Sequence, residues 1–134
     1  MLRIAGMELN MEKYNLYMGD KGEDLASKYL KRRGYKILER QYRCQLGEID
    51  IIASRKDFVV FVEVKTRFDN AYGTPASAVS YIKRKRIIQI ASVYLERFPD
   101  KSARFDIIEV IGNMKDGKFH KVSIDHIENA FWEE

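Results

Sequence analysis

Two strongly apolar runs joined by a short turn constrain the fold of this chain more than any other feature. Residues 48–53 and 58–66 are rich in isoleucine, valine and phenylalanine, and the polar residues 54–57 separate them. This composition predicts two antiparallel strands. Both runs are too apolar for strands that have one face in water, so we expect them at the centre of a sheet.

The turn between these strands determines which residues face each other. If residues 56–57 form a two-residue turn, Asp50 lies opposite Glu63 and Glu48 lies opposite Lys65, with the apolar residues on the other face. Directly opposed side chains have Cβ atoms about 5 Å apart. Two carboxylates at that distance repel each other, and the pKa of one of them rises unless a cation lies between them.

Lys65 adds a third functional group to this pair of carboxylates. It follows Glu63 by two residues, so it points to the same face about 7 Å along the strand. From there it would reach a metal-bound water or a phosphate. Asp50, Glu63 and Lys65 with a metal therefore form a plausible phosphodiester-cleaving site. The alternative is a solvated face with Glu48 and Lys65 as an ion pair.

The composition restricts the kind of metal that this chain would bind. Cys44 is the only cysteine, and His120 and His126 are the only histidines. A multi-cysteine or histidine-rich site is therefore not expected, and a cation on carboxylates favours Mg²⁺ or Mn²⁺. The net charge of +4 is compatible with a polyanionic partner without requiring one.

The remaining periodicity predicts one α/β domain in the order αβββαββ, with a mixed central sheet flanked by helices. Besides the two central strands, the predicted elements are helices at 19–33 and 79–97, strands at 35–44, 104–111 and 118–124, a polar loop at 67–78 and a last helical turn at 127–134.

The sequence also predicts the bounds of this domain and the cell compartment of the protein. We expect residues 1–16 to form a loosely held N-terminal extension and residues 17–134 to form a single domain. No segment approaches a membrane span in length and apolarity, and the first residues lack the apolar stretch of a signal peptide. We therefore expect a cytoplasmic protein that does not bind membranes.

Four segments together make the chain resemble the YraN-like family of bacterial proteins. They are GEDLASKYLKRRGYKIL at 22–38, GEIDII at 47–52, FVEVKTR at 61–67 and AVSYIKRKRIIQIASVYL at 78–95. That family is assigned to the restriction-endonuclease-like PD-(D/E)xK superfamily and is related to archaeal Holliday-junction resolvases. The resemblance covers most of the chain and implies a restriction-endonuclease-like core.

The resemblance also implies roles for individual residues. By matching position, Asp50 and Glu63 bind the metal together with the backbone carbonyl of Val64, and Lys65 is the catalytic lysine. Resolvase-like members add a glutamate from the first helix, which corresponds to Glu23. Without the resemblance, Glu23 is equally well explained as a carboxylate that stabilises the helix N-terminus.

Several basic and polar residues near this site are candidates for contacts with nucleic acid. Lys83 and Arg86 share one face of the second helix, where they would contact phosphates or simply face solvent. The full set is Arg43, Thr66, Arg67, Lys83, Arg86 and Gln89.

The resemblance implies an Mg²⁺- or Mn²⁺-dependent endonuclease that acts on DNA, such as branched or repair intermediates. It also implies a homodimer, because resolvase-like relatives cut symmetric junctions in pairs. Two alternatives stay open, since a fold does not establish a function. One is a nucleic-acid-binding module with little or partner-dependent catalysis, and the other is an interaction protein whose charged face holds no metal.

Overall fold

In the computed structural model, which describes residues 2–68 and 79–132, the two apolar runs form adjacent strands of a five-stranded sheet. A two-stranded sheet at the N-terminus precedes the first helix. In chain order the elements are β1 (Leu2–Ile4), β2 (Met7–Leu9), α1 (Met11–Arg32), β3 (Lys36–Cys44), β4 (Gly47–Arg55), β5 (Phe58–Phe68), α2 (Tyr81–Tyr94), β6 (Ser102–Lys115) and β7 (Lys118–Phe131).

The large sheet is mixed and has the strand order β3-β4-β5-β6-β7. Strands β3, β4 and β5 form the predicted antiparallel meander. Strand β6 then lies parallel to β5 after the crossover through α2, and β7 returns antiparallel. From α1 onward the order αβββαββ is confirmed, and it is compatible with a restriction-endonuclease-like core.

Strands β4 and β5 are central because apolar layers cover both of their faces. Residues 59–62 are all fully buried. Val60 and Val62 pack in one layer with Ala26 and Leu30 of α1. The other layer joins Phe61 to α2 and includes Ile87, Ile90 and Tyr94. Burial on both faces explains why these strands have nearly continuous apolar sequences.

Helix α1 begins at Met11, so the predicted start at Gly19 was wrong. Asn10 caps the helix, because its side chain accepts a hydrogen bond from the backbone N–H of Lys13 at 2.8 Å. Tyr14 and Tyr17 pack against the apolar layer beneath α1 and extend its buried face by two turns. Residues 11–16 therefore belong to α1, and how loosely residues 1–16 are held stays a prediction.

The predicted helical turn at the C-terminus was wrong, because residues 127–131 continue β7. Phe131 pairs with Phe105 of β6, and their rings stack with centroids 5.3 Å apart. This pairing joins segments far apart in sequence, and local periodicity does not detect it. Strands β6 and β7 are consequently longer than predicted.

The second helix is close to its predicted position. Ser80 caps α2, since its Oγ accepts a hydrogen bond from the backbone N–H of Lys83 at 3.1 Å. A 3-10 turn at Leu95–Arg97 follows the helix. Strand β5 takes up residues 67 and 68 of the predicted loop, and residues 69–78 lie outside the described residues. Neither helix in the described part of the chain is long and apolar enough to cross a membrane.

Candidate active site

The predicted register of β4 and β5 is confirmed over the part in which the two strands pair. Pairing extends to Ile51 and Val62, which places Asp50 at the end of the ladder. The paired residues do not include Asp50 and Glu63, so their direct opposition stays a prediction. At the end of the ladder, the Asp50 carboxylate accepts a hydrogen bond from the backbone N–H of Val64 at 2.8 Å. A side chain of β4 thus replaces a ladder hydrogen bond to β5.

Glu63 lies beside two lysines that come from different elements. Its side chain is only 3% exposed, and Lys83 Nζ of α2 contacts its Oε1 atom. Lys65 Nζ lies 3.6 Å from the same oxygen, so Glu63 and Lys65 share a face as predicted. Burial lowers the pKa of Lys83, but the hydrogen bond and charge of Glu63 outweigh this effect and raise it overall.

The carboxyl group of Asp50 has a pKa raised to about 7. Burial is the largest cause, and repulsion by the Glu63 carboxylate is the second. The Val64 N–H and the Lys83 ammonium lower the pKa of Asp50, while Glu23 raises it further. Burial and the Glu63 carboxylate therefore disfavour the charged form of Asp50 more than the Val64 N–H and the Lys83 ammonium favour it.

Glu23 approaches this site because α1 lies very close to β5. A methyl group in place of the Gly22 hydrogen would overlap Thr66 Oγ1, so only glycine allows this approach. The Glu23 side chain is buried and accepts a hydrogen bond from Arg40 Nε at 3.0 Å. Arg40 also bonds Asp24 at 2.7 Å and thereby fixes α1 against β3.

Glu23 and Asp50 line the same cavity, which has a volume of about 190 Å³. Gln41 and Glu48 contribute further polar groups, and Val64 also lines the cavity. This cavity lies on the α1 side of the sheet, whereas Lys83 approaches Glu63 from α2. Asp50 therefore stands between the carboxylate supplied by α1 and the lysines that surround Glu63.

The residues predicted to contact nucleic acid have different surroundings. Arg43 is exposed, forms an ion pair with Glu48 at 3.1 Å and lines the cavity of Asp50. Thr66 packs against Gly22 instead of projecting outward.

Three predicted contacts lie on β5 and α2. Arg67 forms an ion pair with the buried Glu109 of β6 at 2.9 Å. Lys83 points into the acidic site, and Arg86 and Gln89 are exposed on α2. The structure thus brings Arg43 and Lys83 to the site and leaves Arg86 and Gln89 on the surface of the helix.

Sequence reasoning missed Arg40 and Glu109. Arg40 lies on β3 and Glu23 lies on α1, so no local sequence pattern relates the two residues. Only the docking of α1 on β3 brings them together. Glu109 gave a detectable signal, because it is a carboxylate between apolar residues of its strand, as Glu63 is. A buried charge of this kind requires a partner, which here is Arg67.

The donor set restricts how a metal would bind. Within residues 2–68 and 79–132, no group of three or more histidine, cysteine, aspartate or glutamate side chains is arranged to hold a metal ion. A centre would therefore use Asp50 and Glu63, with backbone oxygen and water in the other positions, as is usual for Mg²⁺. These hard oxygen donors fit such a cation, which would also relieve the repulsion that raises the pKa of Asp50.

The comparison with known proteins identifies the family. A family model described as "Uncharacterised protein family UPF0102" matches residues 22–110. A UPF0102 protein of Clostridium acetobutylicum is 45% identical over 123 residues, which cover 90% of this chain and 98% of the relative. One from Caldanaerobacter subterraneus subsp. tengcongensis is 47% identical over 116 residues, or 85% and 93% of the two chains. The matched range includes Glu23, Asp50, Glu63, Lys65 and Lys83.

Proposed function

This chain belongs to the UPF0102 family, and we propose that it is a divalent-metal-dependent nuclease of the PD-(D/E)xK superfamily. One observation carries this proposal. Asp50, at the end of the ladder between β4 and β5, has its pKa raised by burial and by the neighbouring Glu63 carboxylate, while Lys65 lies on the same Glu63 oxygen as Lys83. Carboxylates that repel each other where solvent access is restricted are suited to a cation.

The proposed roles follow from the position of each group. Asp50 and Glu63 would hold Mg²⁺ or Mn²⁺, with the Val64 carbonyl as the third protein ligand. Such a cation would supply Lewis acidity and lower the pKa of a water. The Lys65 ammonium would orient the attacking water or stabilise the charge that develops on the phosphate. Glu23, whose carboxylate accepts a hydrogen bond from Arg40, adds a further carboxylate to the site from the α1 side of the cavity.

We propose DNA as the substrate, with branched or repair intermediates as the class implied by the sequence resemblance. Arg43 beside the cavity and the basic start of α2, residues 83–86, provide positive charge for the phosphate backbone. A homodimer would place two such sites on one symmetric substrate. A DNA substrate also fits the cytoplasmic location expected from the sequence.

The second candidate function is a nucleic-acid-binding module with little or partner-dependent catalysis. The contact between Lys83 and Glu63 favours it, because Lys83 covers an oxygen that a metal would use. A protein of this class would bind DNA in a salt-dependent manner without cutting it.

Cleavage assays separate the two functions. Branched, duplex and single-stranded DNA and RNA are incubated with Mg²⁺ or Mn²⁺ and the wild-type protein, Asp50→Ala or Lys65→Ala. The exposed residues Asp125 and Lys121 of β7 provide matched controls as alanine variants. We expect metal-dependent cleavage of DNA that the two site variants lose and the controls keep. Cleavage that survives both site substitutions would refute the assignment, and retention of uncut DNA would support the binding module.

A further inference from the structure

Two ammonium groups from different elements lie beside one oxygen of the Glu63 carboxylate. Lys83 Nζ, from the first turn of α2, contacts Oε1, and Lys65 Nζ of β5 lies 3.6 Å from the same atom. The Glu63 side chain is 3% exposed, so the carboxylate depends on these groups for its neutralisation. Lys83 is the closer of the two lysines and therefore contributes the stronger attraction.

Glu63 Oε1 cannot keep Lys83 and also be a ligand of a divalent cation. An ammonium group in contact with that oxygen would stand within about 4 Å of the cation, where like charges repel strongly inside a protein. Binding of a cation at Oε1 therefore requires that Lys83 move away. Lys83 is also near enough to Asp50 to lower the pKa of that carboxyl group, so its departure affects both carboxylates.

Lys83 can leave without a rearrangement of the fold. Its side chain is 40% exposed, and Ser80 caps the backbone of α2 independently of the Lys83 ammonium. A lysine side chain has a flexible four-carbon stem and can turn its charge outward. The neighbouring Tyr81 and Ile82 are 61% and 64% exposed, so this end of α2 is open to a large ligand.

We propose that Lys83 is an internal counter-ion that competes with the divalent cation for Glu63 and moves to a substrate phosphate when DNA binds. This inference rests on the proposed function, because it takes Glu63 as a metal ligand. Its consequence is cooperativity: DNA that draws Lys83 away from Glu63 raises the affinity for the cation, and the cation raises the affinity for DNA by the same factor. Lys83 is thus a positioning residue that couples the two ligands.

The first test measures Mn²⁺ affinity by isothermal titration calorimetry without DNA. Lys83→Met removes the competing charge, while Lys83→Arg keeps it. Lys85→Met is the matched control, because this substitution removes the same charge from the same helix. Lys85 Nζ lies over the Tyr81 ring, 5.0 Å from its centroid, and not beside Glu63. We expect about tenfold tighter Mn²⁺ binding in Lys83→Met and wild-type affinity in the other two. Equal affinity in Lys83→Met and the wild type would overturn the proposal.

The second test includes a measurement on a protein that keeps Lys83. Mn²⁺ is titrated into Lys65→Ala, which keeps a duplex DNA intact, with and without that DNA. We expect DNA to raise the Mn²⁺ affinity about tenfold and Lys83→Met in the same background to abolish this effect. An affinity that DNA does not change while Lys83 is present would overturn the proposal.

The outcomes distinguish this inference from the proposed function. If the wild type binds Mn²⁺, Asp50→Ala does not, and Lys83→Met equals the wild type, the metal site stands and the role of Lys83 fails. If none of the proteins binds Mn²⁺, the proposed metal site fails and the role of Lys83 fails with it.

Discussion

The carboxylate of Asp50 bonds the backbone N–H of Val64 across the gap where β4 and β5 stop pairing, at 2.8 Å. This bond holds the carboxyl group against β5 although it is partly buried and close to Glu63. The protein thus fixes the group in a place that disfavours its charged form, and this raises the pKa of Asp50.

Asp50 gives the metal-free protein a stability that falls as the pH rises. The pKa of Asp50 is about 7 in the folded chain against 3.8 for the ordinary group, so the folded state binds the proton more tightly. The resulting stabilisation is complete below the unfolded pKa and is lost as the pH rises through the folded one. Between pH 3.8 and about 7, we expect the free energy of unfolding to decrease less in Asp50→Asn than in the wild type. Urea unfolding in the presence of a metal chelator measures this difference. An unchanged slope would contradict the assigned pKa.

Saturating Mn²⁺ should restore the free energy of unfolding that the metal-free wild type loses as the pH rises. A cation held by Asp50 would bind the deprotonated carboxylate, so its affinity would rise with pH up to about 7 and be constant above it. Thermal unfolding at several pH values with and without Mn²⁺ measures the effect. Asp50→Asn should show a smaller rise in melting temperature at every pH, and an equal rise in both proteins would place the cation elsewhere.

Lys65 is expected to act on the reaction more than on the metal. It lies 3.6 Å from Glu63 Oε1 and is not itself an oxygen donor. Lys65→Ala should lower the cleavage rate constant about 100-fold or more while Mn²⁺ affinity does not decrease. Single-turnover cleavage and calorimetry on the same preparation measure the two effects. A loss of metal binding that accounts for the loss of cleavage would contradict this role.

The contact between Gly22 and Thr66 positions Glu23 and should be sensitive to one methyl group. Gly22→Ala forces α1 away from Thr66 Oγ1, and we expect it to cost about 1–3 kcal/mol in the free energy of unfolding. Thr66→Ala should recover part of this loss in the double variant. Gly19→Ala is the control in the same helix, because a methyl group there meets no atom within 4 Å. A destabilisation of the same size in Gly19→Ala would exclude the close contact as the cause.

The acid dependence of stability should come from a different carboxylate, Asp106. It is fully buried, and Arg104 Nη2 and His126 Nε2 each lie 2.7 Å from its Oδ2 atom. Burial raises the pKa of Asp106, but His126, Arg104 and the Asn129 N–H outweigh this effect and lower it overall. Its stabilisation is therefore present above the ordinary pKa of 3.8 and is lost as the pH falls through the lowered value.

Asp106→Asn tests this cluster. We expect it to cost about 3 kcal/mol at pH 7, because Arg104 then keeps its charge in a buried place with a weakened partner. The difference from the wild type should shrink on acidification, as measured by urea unfolding from pH 7 downward. A difference that is constant with pH would show that Asp106 is not ionised in the folded protein.

The sequence predicted the central strands and their register because the signal was local. Residues 48–53 and 58–66 are close in the chain, and a short turn leaves few ways to pair them. The shared face of Glu63 and Lys65 follows from that pairing. The start of α1 was missed because Gly19 and nearby polar residues interrupt the apolar stripe that Tyr14 and Tyr17 continue.

The remaining features depend on how separate elements dock. Phe131 extends β7 because it stacks on Phe105, which lies on another strand. Lys83 reaches Glu63 only because α2 packs over β5. The sequence alone predicted that Lys83 would contact phosphate or face solvent. A helix pattern shows which residues share a face but not which side chain of another element they meet.

The most direct test of the account is the location of bound Mn²⁺ by paramagnetic broadening in ¹H–¹⁵N NMR spectra. Substoichiometric Mn²⁺ should first remove the amide signals of Asp50 and residues 63–65. The signals of Phe58 and Ser102, about 16 Å away along the strands, should be much less affected, and Asp50→Ala should abolish the selective loss. Broadening centred elsewhere, or the same pattern in Asp50→Ala, would contradict a metal site at Asp50 and Glu63.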